Sequence, residues 1–318
     1  MIPFAKAIYR YVDYFAVAKV CELVSLRRNF IYKPVLILSP LLINEIETAI
    51  RFGGEISVDG LERLRQVQIV AMKMNKIAKV HIQVDTGMRR FGVTSLKEYV
   101  QMLDNIRDGT HVTLVGVYSH FYSNDSRKQA RQREIFEKIT IETHRRQFYP
   151  LFHISASGGA MDKQNLFDMV RLGIALYEQY TELTSNIIAI KKLKAGEGLG
   201  YDHKYVANRD TLIGIVGIGY GDGIFRMYAK EGKVSVNGKI FKIVGNICMD
   251  CLFIDIGNDC TINVGDEVNI FGNFGINICE VAAGCDTITY EILSSITKRV
   301  KRCINASNNR SLQRTQTT

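Results

Sequence analysis

At 318 residues, 47% hydrophobic and 23% charged, the chain has room for one large and one smaller domain and the balance of an ordinary globular protein. No apolar run reaches the ~20 residues of a membrane-spanning helix and no secretory leader is visible, so the expectation is a cytoplasmic protein with no membrane partner. The net charge of +9 comes from short scattered clusters at 131–133, 145–146, 191–194 and 298–302; no nucleic-acid-binding motif accompanies them, and no nucleic-acid partner is expected.

In chain order, residues 3–11 read as a helix with Pro3 in its first turn. Apolar runs at 14–18, 35–39, 55–58, 80–85, 115–119, 152–155 and 169–172 predict strands, and 96–105 and 124–146 carry helical spacing. Strands alternating with helices imply right-handed βαβ units and a parallel sheet. Seven strands fall one short of a (β/α)8 barrel, and a barrel does not open on a helix with no strand before it. The expected fold is therefore α/β: a (β/α)8-type barrel missing its first strand over 1–183. Short alternating runs then follow at 211–218, 234–236, 241–245, 252–256 and 267–271, separated by turns such as Asn237-Gly238 and Gly265-Asp266. They predict a mainly β domain over 184–305, with the polar residues 306–318 as a disordered tail.

The seven cysteines are irregularly spaced, which points to free thiols in a reducing compartment. Cys248 and Cys251 form a CxxC, but no second pair or histidine spacing completes a zinc site, so no metal is expected.

Barrel enzymes carry their working residues at the C-terminal ends of strands. That rule selects residues 85–90, His120, Ser157 and Arg171. Strand alternation puts His81, Gln83 and Asp85 on one face. Asp85 reads either as a turn former ahead of Gly87 or as part of a site, whereas a guanidinium such as Arg90 suits a carboxylate or phenolate. The loops at 157–160 and 171–174 read together as a phosphate cup, where backbone N–H groups and a hydroxyl approach an anion. The glycines at 217, 219, 221 and 223 fail the GxGxxG spacing and lack a βαβ unit, which excludes a dinucleotide loop.

Three segments, VDTGMRRFG (84–92), IGYGDG (218–223) and ICMD (247–250), resemble the alanine racemase family, enzymes that use pyridoxal phosphate to invert an amino acid's Cα. The resemblance runs from the first residues to about Arg302 and implies a barrel followed by a β domain. By that resemblance, Arg90 contacts the cofactor ring oxygen and the substrate carboxylate, and His120 lies beside the cofactor. Ser157, Gly173, Ile174 and Tyr290 hold its phosphate, Arg171 faces the pyridine nitrogen, and His153 supports Arg171. An arginine there stays charged and does not give the ring a full proton. Tyr220 is the implied catalytic base; a phenol is a poor base at neutral pH and needs polar or cationic neighbours. Met249 and Asp250 line the implied substrate pocket, and Tyr220, Met249 and Asp250 come from the partner subunit of a head-to-tail homodimer.

The sequence also departs from the family pattern. Gln83 stands where many members have a carbamylated lysine orienting the arginine at position 90, Ala156 replaces an asparagine, and Asn246 replaces a basic residue. No KxxxYGHG-type segment is present, and Lys6 and Lys19 stand elsewhere, so the family's Schiff-base lysine is expected to be absent from this chain. The implied activity is interconversion of L- and D-alanine, the latter a cell-wall precursor, with Tyr220 as one base and the lysine base absent. The alternatives are a catalytically inactive homologue, or a racemase for serine or a basic amino acid.

Overall fold

The computed structural model describes residues 1–272 and 275–304; the tail expected at 306–318 lies outside them. The chain divides into two units, Met1–Gly173 and a second beginning at Ile174.

In the first unit, α1 (Ile2–Ile8) leads into β1 (Phe15–Val17), α2 (Val20–Arg28), β2 (Val35–Ile37), α3 (Ile43–Arg51) and β3 (Glu55–Val58). Then come α4 (Leu61–Lys73), β4 (Ala78–Gln83), α5 (Leu96–Asp108), β5 (Val112–Tyr118), α6 (Ser126–Arg145) and β6 (Leu151–His153). The six strands pair in parallel in sequence order. The sheet is open, with β1 and β6 at its edges. Every residue of β2 and β3 is buried, as expected for a parallel sheet covered on both faces.

The helices follow from sequence chemistry. Asp125 caps α6 by accepting a hydrogen bond from the Lys128 N–H at 2.9 Å. Gln129, Gln132, Phe136, Ile139 and Thr143 recur at helical spacing on its buried face. Phe136 packs edge-on against Phe152 of β6 and against Phe167.

One expected strand needs correction. Residues 169–172 form no strand; Arg171 makes only an isolated parallel bridge with Ala156, beyond the end of β6. Asp168 explains this locally, because its carboxylate takes the Phe152 N–H while its own N–H donates to the Phe152 carbonyl. A side chain thus fills part of the ladder that a seventh strand would have made.

The second unit contains α7 (Ile174–Glu178), β7 (Leu183–Leu193), the short pair β8 (Gly198–Leu199) and β9 (Tyr205–Val206), and β10 (Thr211–Val216). It continues with β11 (Lys233–Val236), β12 (Lys239–Lys242), β13 (Leu252–Gly257), β14 (Glu267–Phe271), α8 (Ile278–Gly284) and α9 (Thr289–Ser295). Its antiparallel sheet runs β12-β11-β14-β7-β10-β13. Asn237 and Gly238, at φ 49° and 77°, form the tight turn between β11 and β12. The central strand β7 is not expected from the sequence, because Asn186, Lys191 and Lys192 interrupt the apolar alternation that marks a strand. Among the described residues, no helix is long and apolar enough to cross a membrane.

Candidate active site

β4 ends at Gln83 and turns sharply. The Asp85 carboxylate accepts the Gly87 and Arg89 N–H groups at 2.7 and 2.9 Å, so Asp85 acts here as a turn former. Gly92 closes the loop at φ 110°; a Cβ there would lie 2.8 Å from the Asp85 nitrogen, so only glycine fits. Arg90 is left exposed, its guanidinium 5.8 Å from the Phe91 ring centroid. Gln83 is buried and accepts the Tyr118 hydroxyl at 3.0 Å. Among the described residues no hydrogen bond joins Gln83 to Arg90.

Arg171 is the hub of the first unit. Its Nη2 donates to the carbonyls of Ser119 at 2.7 Å and Ile154 at 3.0 Å, and to His120 Nδ1 at 3.4 Å. Its Nη1 donates to Nδ1 of His153. The guanidinium also sits 5.2 Å from the Tyr118 ring centroid, and Tyr118 stacks parallel on His153 at 5.0 Å. Burial pulls Arg171 down to about 10, so it stays charged at neutral pH. Burial, followed by the charges of Arg171 and Arg90, pulls His120 down to about 4. The same causes, burial first and then Arg171, hold His153 well below its ordinary value. Both rings are therefore neutral near pH 7.

These groups are held from behind by polar side chains. Gln132 of α6 donates to Thr86 Oγ1 at 2.9 Å and to the His120 carbonyl at 3.0 Å, tying together the ends of β4 and β5. Thr86 and Ser119 share a hydrogen bond of 2.8 Å. Ser157 is buried, and its Oγ accepts the Gly173 N–H at 2.9 Å. A Cβ at Gly173 would meet nothing within 4 Å, so the space before it is open. Gly158 and Gly159 have a different purpose: a Cβ on them would strike Asn124 and Phe121. They allow close packing of the loop.

The second unit joins two of the sequence segments directly. Tyr220 N–H donates to the Cys248 carbonyl at 3.0 Å and Gly221 N–H to the Met249 carbonyl at 2.9 Å. A Cβ at Gly219 would lie 2.3 Å from that Cys248 oxygen, which makes a glycine obligatory. Arg299 clamps the pair, reaching Asp222 at 3.3 Å and Asp250 at 2.6 Å. Tyr220 and Met249 are nevertheless exposed, at 41% and 51%. Tyr290 lies on α9, exposed, with its phenol pushed up by partial burial and by Glu178. Ile174 opens α7. Among the described residues no cluster of three metal-ligating side chains forms.

Sequence reasoning missed Glu55, Ser57, Gly116 and Tyr118, and left His81 without a role. All five lie on β3, β4 or β5, and all five are buried. A usable signal was present: Glu55 and Ser57, like His81 and Gln83, are polar residues spaced by two, on one face of their strands.

Comparison with known proteins agrees with this architecture. The alanine racemase N-terminal domain family matches residues 1–181, and the alanine racemase C-terminal domain family matches residues 180–304. The alanine racemase of Clostridium novyi is 33% identical over 319 residues, covering 90% of this chain and 80% of the relative. That of Cutibacterium acnes is 34% identical over 319 residues, covering 92% and 84%. Among solved structures, the alanine racemase of Clostridium difficile 630 superposes with a TM-score of 0.88 at 31% identity, covering 94% of this chain and 83% of that one. The chain therefore belongs to the alanine racemase family of pyridoxal-phosphate-dependent amino-acid racemases.

Proposed function

We propose that this chain carries out alanine racemase-type proton transfer at the Cα of alanine with pyridoxal phosphate, with Tyr220 as one base and the family's lysine base absent from residues 1–318. The observation that carries the reading is the charged Arg171, pinned by the Ser119 and Ile154 carbonyls and by neutral His153. The features of the first unit suit the cofactor: a buried serine and an unobstructed glycine N-terminal to α7 for its phosphate, and a fixed cation for its ring nitrogen. When bound, pyridoxal phosphate supplies an electron-withdrawing ring that acidifies the Cα–H of an attached amino acid.

The remaining roles belong to the chain. In the first unit, Ser157 and Gly173 would hold the phosphate. Arg171 offers a charged donor to the ring but keeps its proton, and His120 stands beside it as a neutral imidazole. Arg90, exposed at the strand end, binds the substrate carboxylate and the ring oxygen. Tyr220 takes or returns the Cα proton at its hydroxyl. Met249 and Asp250 line the substrate pocket, and their exposure together with that of Tyr220 supports their donation to a partner subunit in a homodimer. Residues 1–318 contain no KxxxYGHG-type segment, so the lysine base is not supplied by this sequence.

The test is to incubate the chain with pyridoxal phosphate and L-alanine, L-serine or L-lysine in deuterium oxide and resolve the enantiomers by chiral chromatography with mass detection. Alanine is expected to gain deuterium at Cα ahead of the other two. A chain that bound the cofactor but left all three unlabelled and uninverted would overturn the reading in favour of an inactive homologue. Faster labelling of serine or lysine would reassign the substrate.

A further inference from the structure

Behind Arg171 lies a line of buried side chains that the reaction itself does not use. His153 Nε2 is 3.1 Å from His81 Nδ1, and His81 Nε2 is 2.9 Å from Glu55 Oε2. Both imidazoles are fully buried and Glu55 is 2% exposed. His81 and His153 stand on β4 and β6 with β5 between them. They meet because β5 carries Gly116 at that point; a Cβ there would lie 2.1 Å from His81 Nδ1. The β4–β5 register shifts between Val80 and His81, a bulge of the kind that re-aims a side chain.

Hydrogen-bond complementarity fixes every proton on this line. A guanidinium only donates, so Nδ1 of His153 is bare and its proton is on Nε2. That proton points at His81 Nδ1, which must also be bare. The His81 proton is then on Nε2 and points at the Glu55 carboxylate. We propose that Glu55 and His81 are positioning residues of the active site: through the window at Gly116 they impose one proton order on His153, so that Arg171 always meets an acceptor. With the order broken, two N–H groups would face each other or one would be buried without a partner, and the guanidinium would lose a bond that fixes its direction. Tyr14 and Lys79 also face the Glu55 carboxylate, with Lys79 Nζ at 3.9 Å; Glu55 thus forms a charged end for the line.

This inference rests on the proposed cofactor site, but its first test does not need the cofactor. In the full chain labelled with 15N-histidine, imidazole NMR near pH 7.5 is expected to show His81 and His153 each protonated on Nε2 and bare on Nδ1, assigned by their loss in H81N and H153N. A proton on Nδ1 of either ring overturns the proposal. The second test is titration with pyridoxal phosphate followed by absorbance. Glu55→Gln retains an acceptor oxygen and should bind within about threefold of the parent chain, whereas Glu55→Leu leaves a buried N–H unpaired and should weaken binding about tenfold or more. Gly116→Ala leaves every polar group in place but obstructs the window, and should weaken binding to a similar degree. Folded Glu55→Leu and Gly116→Ala chains that hold the cofactor as tightly as the parent would overturn the proposal. A parent chain with the expected protons that takes up no pyridoxal phosphate would instead sink the proposed function and leave the proton order standing.

Discussion

The two units present their candidate residues in opposite ways. In the first, Arg171, His120, His153 and Gln83 are embedded in a polar network behind the strand ends, with partners fixed to within hydrogen-bond distance. In the second, the backbone of residues 219–221 is locked onto the ICMD segment while the side chains of Tyr220, Met249 and Asp250 project into solvent. The first unit has already met the cost of orienting its polar groups. The second fixes the backbone and, through Arg299, the Asp250 carboxylate, while Tyr220 and Met249 reach out exposed, an arrangement suited to completing a site on another surface.

That contrast predicts unequal consequences of substitution. Tyr220→Phe should lower racemisation or Cα–H exchange by about 100-fold or more, the usual contribution of a positioned acid–base group. It should leave the unfolding free energy within about 0.5 kcal/mol, because the hydroxyl is exposed. Kinetics and urea unfolding on the same preparation check both halves, and a large stability loss would break the comparison. Arg171→Ala should behave in the other way. It should both abolish cofactor retention and destabilise the first unit by about 2–3 kcal/mol, since acceptors on Ser119, Ile154 and His153 lose a charged donor.

Acid should act on the first unit through its neutral histidines. His120 binds its proton at about 4 when folded, against an ordinary 6.5, and His153 is displaced in the same direction. Between those values the unfolded chain binds more protons than the folded one. Stability from these rings is therefore complete above about pH 6.5 and is lost as the pH falls toward 4. Urea midpoints measured at a series of pH values should decline in that window, and His120→Asn should flatten the decline. The smallest effect is expected at Asp250→Asn. Its ion pair with Arg299 is exposed on both sides, so the thermal midpoint should not move measurably, while the KM for alanine should rise if Asp250 lines the substrate pocket.

Much of this arrangement was legible in the sequence, for identifiable reasons. β3 and β14 fall at 55–58 and 267–271, as the apolar runs indicate, because strand alternation is a local signal. The loop after β4 is also local: Asp85, Gly87 and Gly92 dictate its turn. The line from Glu55 to Arg171 is not local. It joins residues 26, 72 and 18 positions apart, and only the register of four parallel strands brings them together. Gly116 reads in the sequence as an ordinary strand glycine; its purpose appears only with the His81 ring against it. The missing seventh strand depends likewise on one side chain, Asp168, taking a ladder position.

The most direct test of the central claim is deuterium incorporation at the Cα of alanine by this chain with added pyridoxal phosphate, compared with cofactor alone. Labelling above the cofactor-only rate is the expected result if Tyr220 serves as the proposed base. Labelling no faster than with free cofactor, in a chain shown spectroscopically to bind it, would contradict that claim.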